Sequence, residues 1–198
     1  MRVRAARPGG IGTLALTAIL ILAFGGISRA GTGVFCQGEE VDVGFNGGPE
    51  DNIFSGTPNK DVMAGGGGDD FIFGNGGNDV ICGNANNDFL DGDADNDSLN
   101  GGSENDPAVD GSNGVDAIHG GSGMDDSFAG NGNDIVHGDL GADNLFGDGG
   151  NDNLGGDEDN DTIFGGGGSD DTARGGGDNG GTGDACDAEH EFTCESNP

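Results

Sequence analysis

The chain has no tryptophan and no tyrosine, and only six Lys and Arg, five Pro and three His among 198 residues. Without indole or phenol rings, an interior must be built from Phe and aliphatic side chains. At 31% hydrophobic residues these are too few for an ordinary globular core. The shortage of cations, set against 37 Asp and Glu and a formal charge of −31, excludes nucleic acid and anionic membrane surfaces as partners. No HExxH, no G-x-S-x-G and no Cys–His pairing occurs, so the sequence carries no recognisable zinc-protease, serine-hydrolase or cysteine-nucleophile machinery. Beyond residue 30 there is no apolar run long enough to cross a bilayer.

What is abundant is glycine, 47 residues of it, together with aspartate. Read as bulk composition, a Gly-rich, acidic, aromatic-poor chain is a disordered one, because it cannot bury enough apolar surface to offset the entropy of ordering. The first 30 residues differ from the rest. Arg2, Arg4 and Arg7 precede the apolar stretch "IGTLALTAILILAFGGI", and "SRA" sets small residues before a cleavage point after Ala30. This is the pattern of a secretory signal peptide over 1–30, with an uncleaved anchor as the alternative. Its removal leaves Lys60 and Arg174 against 37 acids, a balance of −35 on 168 residues. A secreted, extracellular chain of that charge needs cations. Export also permits disulfides. Four cysteines allow three connectivities, and their end positions suggest Cys36–Cys82 and Cys186–Cys194.

Order enters through repetition. From Gly47 the chain divides into frames of nine residues beginning at 47, 56, 65, 74, 83, 92 and 101. After one extra residue, assigned to Asp110, the frames resume at 111, 120, 129, 138, 147, 156 and 165. The first position is Gly in thirteen of fourteen frames, with Ala129 the exception; the sixth is Asp in thirteen, with Asn52 the exception. The eighth is apolar in twelve, counting Ala108, and is broken by Ser127 and Thr172. Position 4 is Gly or a residue tolerant of left-handed backbone, except at Glu50 and Glu104.

The pattern G-G-x-G-x-D-x-U-x over 47–173 resembles the haemolysin-type calcium-binding (RTX) repeats, a nonapeptide signature whose specificity comes from its many copies. "DVICGN" at 79–84 and the Cys-containing tail are similar to small secreted members of that superfamily. The resemblance implies an all-β parallel β-roll with two sheets of short strands, two columns of calcium-binding turns and several Ca²⁺ ions as its cofactors.

The chemistry of the repeat can be argued from the residues themselves. Positions 1–6 are turn formers and 7–9 are β-prone triplets, whose middle side chain faces opposite to its neighbours. Position 8 therefore points into a core. Two turns and two triplets make an 18-residue coil, which stacks each Asp above the one 18 residues away. One column is then Asp70, Asp88, Asp106, Asp125, Asp143 and Asp161; the other is Asp61, Asp79, Asp97, Asp116, Asp134, Asp152 and Asp170. Stacked carboxylates repel, and a hard divalent cation between them reverses the sign. All of these except Asp106 are expected metal ligands. Asp106 is set aside because Glu104, Pro107 and Ala108 surround it. Roughly a dozen ions would fit between neighbouring turns by the coordination needs of Ca²⁺. The apolar column is too thin to fold the chain alone, so the disordered state is assigned to the metal-free chain and the β-roll to the calcium-bound one.

The flanks 31–46 and 174–198 read as caps over the ends of the roll, too short to fold a catalytic domain. The leading function is extracellular calcium binding by a non-catalytic structural or interaction module. A hydrolase or epimerase using unpaired carboxylates is the weaker third class. Between them stands a surface or matrix adhesin that contacts its partner, or another copy of itself, through an outward ladder of Phe128, Phe146 and Phe164. Phe71 and Phe89 form a similar pair, and cross-strand packing is the plainer reading of both sets. His119 and His137 fall on adjacent rungs; solvated side chains are preferred there to a transition-metal pair.

Overall fold

The structure, a computed structural model, describes residues 35–40, 45–177 and 185–186, and within them every regular element is a strand. The chain winds as a parallel β-solenoid of about seven coils, in agreement with the β-roll expected from the nine-residue frame. Six-residue strands Val62–Gly67, Val80–Ala85, Ser98–Ser103, Ala117–Ser122, Ile135–Leu140, Asn153–Glu158 and Thr172–Gly177 build one sheet. Three-residue strands Ile53–Ser55, Phe71–Phe73, Phe89–Asp91, Ala108–Asp110, Asp126–Phe128, Asn144–Phe146 and Thr162–Phe164 build the other, which ends on Ala185–Cys186. Each coil pairs in parallel with the next, as Ile118 with Val136 and Leu145 with Ile163.

Position 8 fills the interior as alternation demands. Met63, Ile72, Ile81, Leu90, Leu99, Ile118, Val136, Leu145, Leu154 and Ile163 are all fully buried in one continuous file between the sheets. Each contributes about 1.5–3 kcal/mol on full burial. Ser127 occupies the same file, also fully buried, with a hydroxyl that has no hydrogen-bond partner.

Two register details differ from the sequence frame. Asp110 is not the extra residue. Phe89, Leu90 and Asp91 pair with Ala108, Val109 and Asp110, so Val109 takes the core slot and Pro107 is extruded between Asp106 and the strand. Proline has no N–H to give to a ladder, and expelling it lets the larger Val109 replace Ala108 inside. The strand Ala108–Asp110 that follows Pro107 is therefore intact. In the last frame the extra residue is Asp170. Ser169 N–H still reaches the Asn151 side chain 18 residues back, whereas Asp152 N–H reaches Asp171, 19 residues on. Ala173 consequently enters the core beside Leu154, and Thr172 pairs with Asn153.

Over the first coils, Phe35–Cys36 and Glu39–Glu40 form a small antiparallel hairpin whose two-residue turn, Gln37 and Gly38, has positive φ at both positions. A Cys36–Cys82 disulfide with Cα atoms 5.8 Å apart ties it to the six-residue-strand sheet. Beneath it the outward positions are apolar: Val62, Ala64, Val80 and Cys82 are buried in a second cluster with Cys36, against which Phe45 packs. Lys60 pairs with Glu39 at 2.7 Å, and Ser98 Oγ donates to Gln37 Oε1. The pairing expected for Cys186 and Cys194 involves Cys194, which lies outside the described residues, as does the signal peptide expected over 1–30.

Candidate metal centre

Each turn begins with a residue packed against the neighbouring coil, and its second residue has positive φ in every frame from Gly65 to Gly165. Examples are Gly66 at 106°, Asn75 at 74°, Asn84 at 83°, Asp139 at 72° and Asp157 at 75°. Position 4 does the same in most turns, including Glu104 at 71°. Left-handed backbone at two positions separated by one residue curls the turn inward. The sequence frame identified position 4 but missed position 2. Its signal was there to read, since from Gly66 onward position 2 is only Gly, Asn, Asp or Ser.

The sixth-position side chains are drawn under the turns and buried. In one column the Oδ1 of Asp79, Asp97, Asp116, Asp134, Asp152 and Asp171 each accepts the backbone N–H of the column member on the preceding coil, at 2.8–3.0 Å. In the other, Asp70, Asp88, Asp106, Asp125, Asp143 and Asp161 do the same from Asn52 onward, at 2.7–3.0 Å. The structure thus brings eleven of the twelve expected residues into two files: Asp61, Asp70, Asp79, Asp88, Asp97, Asp116, Asp125, Asp134, Asp143, Asp152 and Asp161. The twelfth, Asp170, is exposed, and Asp171 holds its place at 1% exposure. Asp106, set aside in the sequence, is fully buried in the middle of its file. Pro107 is extruded just after it, so neither the proline nor Ala108 disturbs the file there.

Oδ1 being taken, the other oxygen decides what the columns can do. The Oδ2 atoms of Asp70, Asp79, Asp88, Asp97, Asp106, Asp116, Asp125, Asp134, Asp143, Asp152 and Asp171 are buried and have no hydrogen-bond donor. Asp61 is different: its Oδ2 accepts from Thr57 N–H at 2.6 Å and from Thr57 Oγ1 at 2.9 Å. In nine of these turns, those of Asp70, Asp79, Asp88, Asp97, Asp106, Asp116, Asp125, Asp143 and Asp152, the unpartnered oxygen faces the first glycine, and in most of them a carbonyl from the next coil converges there too. A methyl placed on Gly120 would lie 2.9 Å from both Asp125 Oδ2 and Gly138 O; one on Gly111 would lie 2.7 Å from both Asp116 Oδ2 and Ala129 O. Glycine leaves room there for two acceptors to approach one point with no donor between them.

Burial makes the ionised form expensive. Desolvation, outweighing the stabilising amide bond from the coil before, pushes Asp97 and Asp106 up to about 8 and Asp79, Asp88, Asp116 and Asp143 up to about 7. Asp152 rises to about 6, and Asp70, Asp125 and Asp134 are raised for the same reason. Neighbouring carboxylates add to the rise at most of these positions. A cation removes this penalty. Among the described residues no three His, Cys, Asp or Glu side chains form a metal cluster, so an ion here would combine carboxylate with backbone carbonyl oxygens. That all-oxygen, partly main-chain donor set suits Ca²⁺, which accepts flexible cages of carboxylates and carbonyls. It does not suit Zn²⁺ or the softer metals.

A parallel solenoid with acidic turns stacked in two internal files defines a class of repeat protein in which the turn, rather than a pocket, is the unit of ion binding. The family model of the RTX calcium-binding nonapeptide repeat (4 copies) matches residues 46–81, 55–90, 83–106, 119–154 and 128–163, together more than half of the chain. The chain belongs to this family of calcium-binding repeat proteins. The matches stop at 106 and resume at 119, bracketing the coil in which Pro107 is extruded. No curated protein matches the chain.

Proposed function

We propose that this chain is a secreted, non-catalytic calcium-binding module whose β-roll forms when Ca²⁺ occupies the two Asp columns. The observation that carries the reading is the file of buried, donorless Oδ2 atoms opposite main-chain carbonyls. From Asp70 and Asp79 onward, Asp88, Asp97, Asp106, Asp116, Asp125, Asp134, Asp143, Asp152 and Asp171 would hold the ions together with first-position carbonyls. The bound cation would supply charge neutralisation that the apolar file cannot. Metal binding is then folding free energy. The Cys36–Cys82 bridge supports export to an oxidising compartment. Isothermal titration of the chain with CaCl₂, run beside circular dichroism, tests this: several ions should bind as β signal appears, and silence in both up to about 10 mM, past the weakest extracellular modules, would refute it.

A second reading, surface or self-contact, draws on the aromatic files of the three-residue-strand sheet. Phe128 and Phe146 stack at 4.9 Å between ring centroids and Phe146 and Phe164 at 5.3 Å, with Phe164 left 37% exposed. Phe71 and Phe89 stack at 5.8 Å. The outward row of Phe128 continues through Asp110 and Asp91 to Phe73, so two acids interrupt the aromatic file. Rings stacked face to face spend their faces on each other, which favours inter-coil packing as their main role. Retention of the Phe128, Phe146 and Phe164 triple Ser variant on cell-wall material at wild-type level would remove the adhesive reading.

A further inference from the structure

On the outer face of the six-residue-strand sheet, His119 and His137 stand on adjacent rungs, their rings stacked with centroids 5.1 Å apart and planes 11° from parallel. Each imidazole is held by a carboxylate at position 2 of the turn one coil on. His119 Nδ1 lies 2.9 Å from Asp139 Oδ2, and His137 Nδ1 lies 2.8 Å from Asp157 Oδ2. Asp139 and Asp157 are two of the positive-φ residues described above, so the turn backbone that shapes the calcium files also aims these carboxylates at the sheet face. The rung beyond His137 carries Gly155; a methyl there would meet His137 Nδ1 at 3.3 Å, so its lack of a side chain leaves the ring its place.

A carboxylate can only accept, so each Nδ1 carries the proton and donates it. In the neutral ring the lone pair is thereby fixed on Nε2, the nitrogen turned away from the carboxylate. Carboxylate–histidine pairs of this kind orient imidazole ligands around zinc and raise their basicity. Two such rings repeat one rung apart on a strongly acidic protein. We infer that His119 and His137 form a binding site for a borderline divalent cation such as Zn²⁺, separate from the calcium files and selective against Ca²⁺ because its donors are imidazole nitrogens. Closing the pair on one ion, with Zn–N near 2.0–2.1 Å, needs the two Nε2 atoms to lean together from strand spacing by somewhat less than about an ångström each, and the stacked rings to tilt out of parallel so that both in-plane lone pairs aim at the ion. Both side chains are about 40% exposed, so the rings can pivot about their carboxylate bonds on the solvent side, with water completing the shell.

The test is titration of the calcium-saturated full chain with ZnCl₂, after circular dichroism shows the fold is formed, followed by ¹H–¹⁵N long-range correlation of the histidine side chains. Expected is one zinc equivalent that shifts the Nε2 signals of His119 and His137 while Nδ1 stays protonated. His119→Gln and His137→Gln should each weaken that binding at least tenfold, and Asp139→Asn with Asp157→Asn about tenfold through loss of ring orientation. The inference is overturned if zinc uptake is the same in the double Gln variant, or if neither Nε2 signal moves by about 1 mM zinc, the millimolar limit of weak binding.

Discussion

The backbone N–H of Asp88 donates to Asp106 Oδ1 at 2.7 Å across one coil, and the N–H of Asp106 donates in turn to Asp125 Oδ1 at 2.8 Å. One row outward, at position 5, the direction reverses. Asn105 N–H donates to Asn87 Oδ1 on the coil before, and Met124 N–H donates to Asn105 Oδ1. Neighbouring rows of side-chain acceptors thus reach up and down the solenoid, clamping each turn between its neighbours. The inner row keeps a second oxygen in reserve for a cation.

Asp106 separates the two duties of a column aspartate. Asp106→Asn keeps the Oδ1 acceptor for Asp88 N–H and places an amide donor near the Gly120 carbonyl, at the cost of the charge. It should not weaken whatever β structure the calcium-free chain holds at pH 5.5, while lowering the number of calcium ions bound at pH 8. Asp106→Ala leaves Asp88 N–H buried and unpaired, which costs about 1–3 kcal/mol in either state. Asp170→Asn, at an exposed position, should fall within about 0.5 kcal/mol of wild type. Thermal melts with and without calcium, joined to isothermal titration, check all three; an Asp170 effect matching that of Asp106 would reverse the assignment of the column.

The raised column carboxyls set the pH dependence of the metal-free protein. Asp97 and Asp106 near 8, and Asp79, Asp88, Asp116 and Asp143 near 7, hold their protons more tightly in the fold than in the unfolded chain, where Asp titrates near 3.9. Below about pH 4 both states are protonated and these groups are neutral to stability. As pH rises from there to about 8 the unfolded chain ionises first, so stability is progressively lost. In EDTA, the chain should show more β signal and a higher Tm at pH 5.5 than at pH 8, and calcium should restore the fold at pH 8. A metal-free fold that is instead weakest at pH 5.5 would mean that the column carboxylates are not desolvated.

First-position glycine is a requirement of space. A methyl on Gly138 would lie 2.5 Å from Asp143 Oδ2 and 2.8 Å from Gly156 O, so Gly138→Ala should displace both acceptors. We expect the calcium concentration for half-folding to rise several-fold and the ion count to fall. Ala129 already places a methyl at this position, fully buried, in the turn that ends at Asp134. Ala129→Gly should therefore ease binding in that turn, read as a lower calcium concentration for half-folding. An unchanged half-folding concentration in both variants would show that the ions sit elsewhere in the turn.

How far the sequence revealed this arrangement depends on what the nine-residue period carries. Alternation within the triplets placed Ile72, Leu90 and Leu145 in the core, and the period placed the aspartates in two files, because both follow from geometry that every coil repeats. Insertions do not repeat. Moving the extra residue from Asp110 to Pro107 changes no spacing outside that coil, and Asp106 keeps its place in its file either way, yet the move decides whether Val109 or Ala108 is buried. Asp170 and Asp171 are chemically identical neighbours, and only the need to bury Ala173 rather than Thr172 selects between them. The carboxylates beside His119 and His137 lie 20 residues away, at position 2, whose geometry was not read.

Among the described residues Ser127 is the one polar side chain in the core file, between Val109 and Leu145, and its Oγ has no hydrogen-bond partner. A buried hydroxyl without a partner costs on the order of 1–3 kcal/mol by protein mutational measure, and it also supplies less apolar contact than its neighbours. Valine adds volume in a file already built of Val, Leu and Ile, so Ser127→Val removes the polar penalty and extends the apolar column. The calcium-bound fold should gain about 1 kcal/mol or more, seen as a Tm rise of several degrees, and the gain should persist in EDTA at pH 5.5 because the core does not depend on the ion. A loss of stability would show that the file is too tightly packed at this rung to accept the two added methyls. In that case the small side chain at Ser127 is required by the closeness of the two sheets rather than tolerated by it.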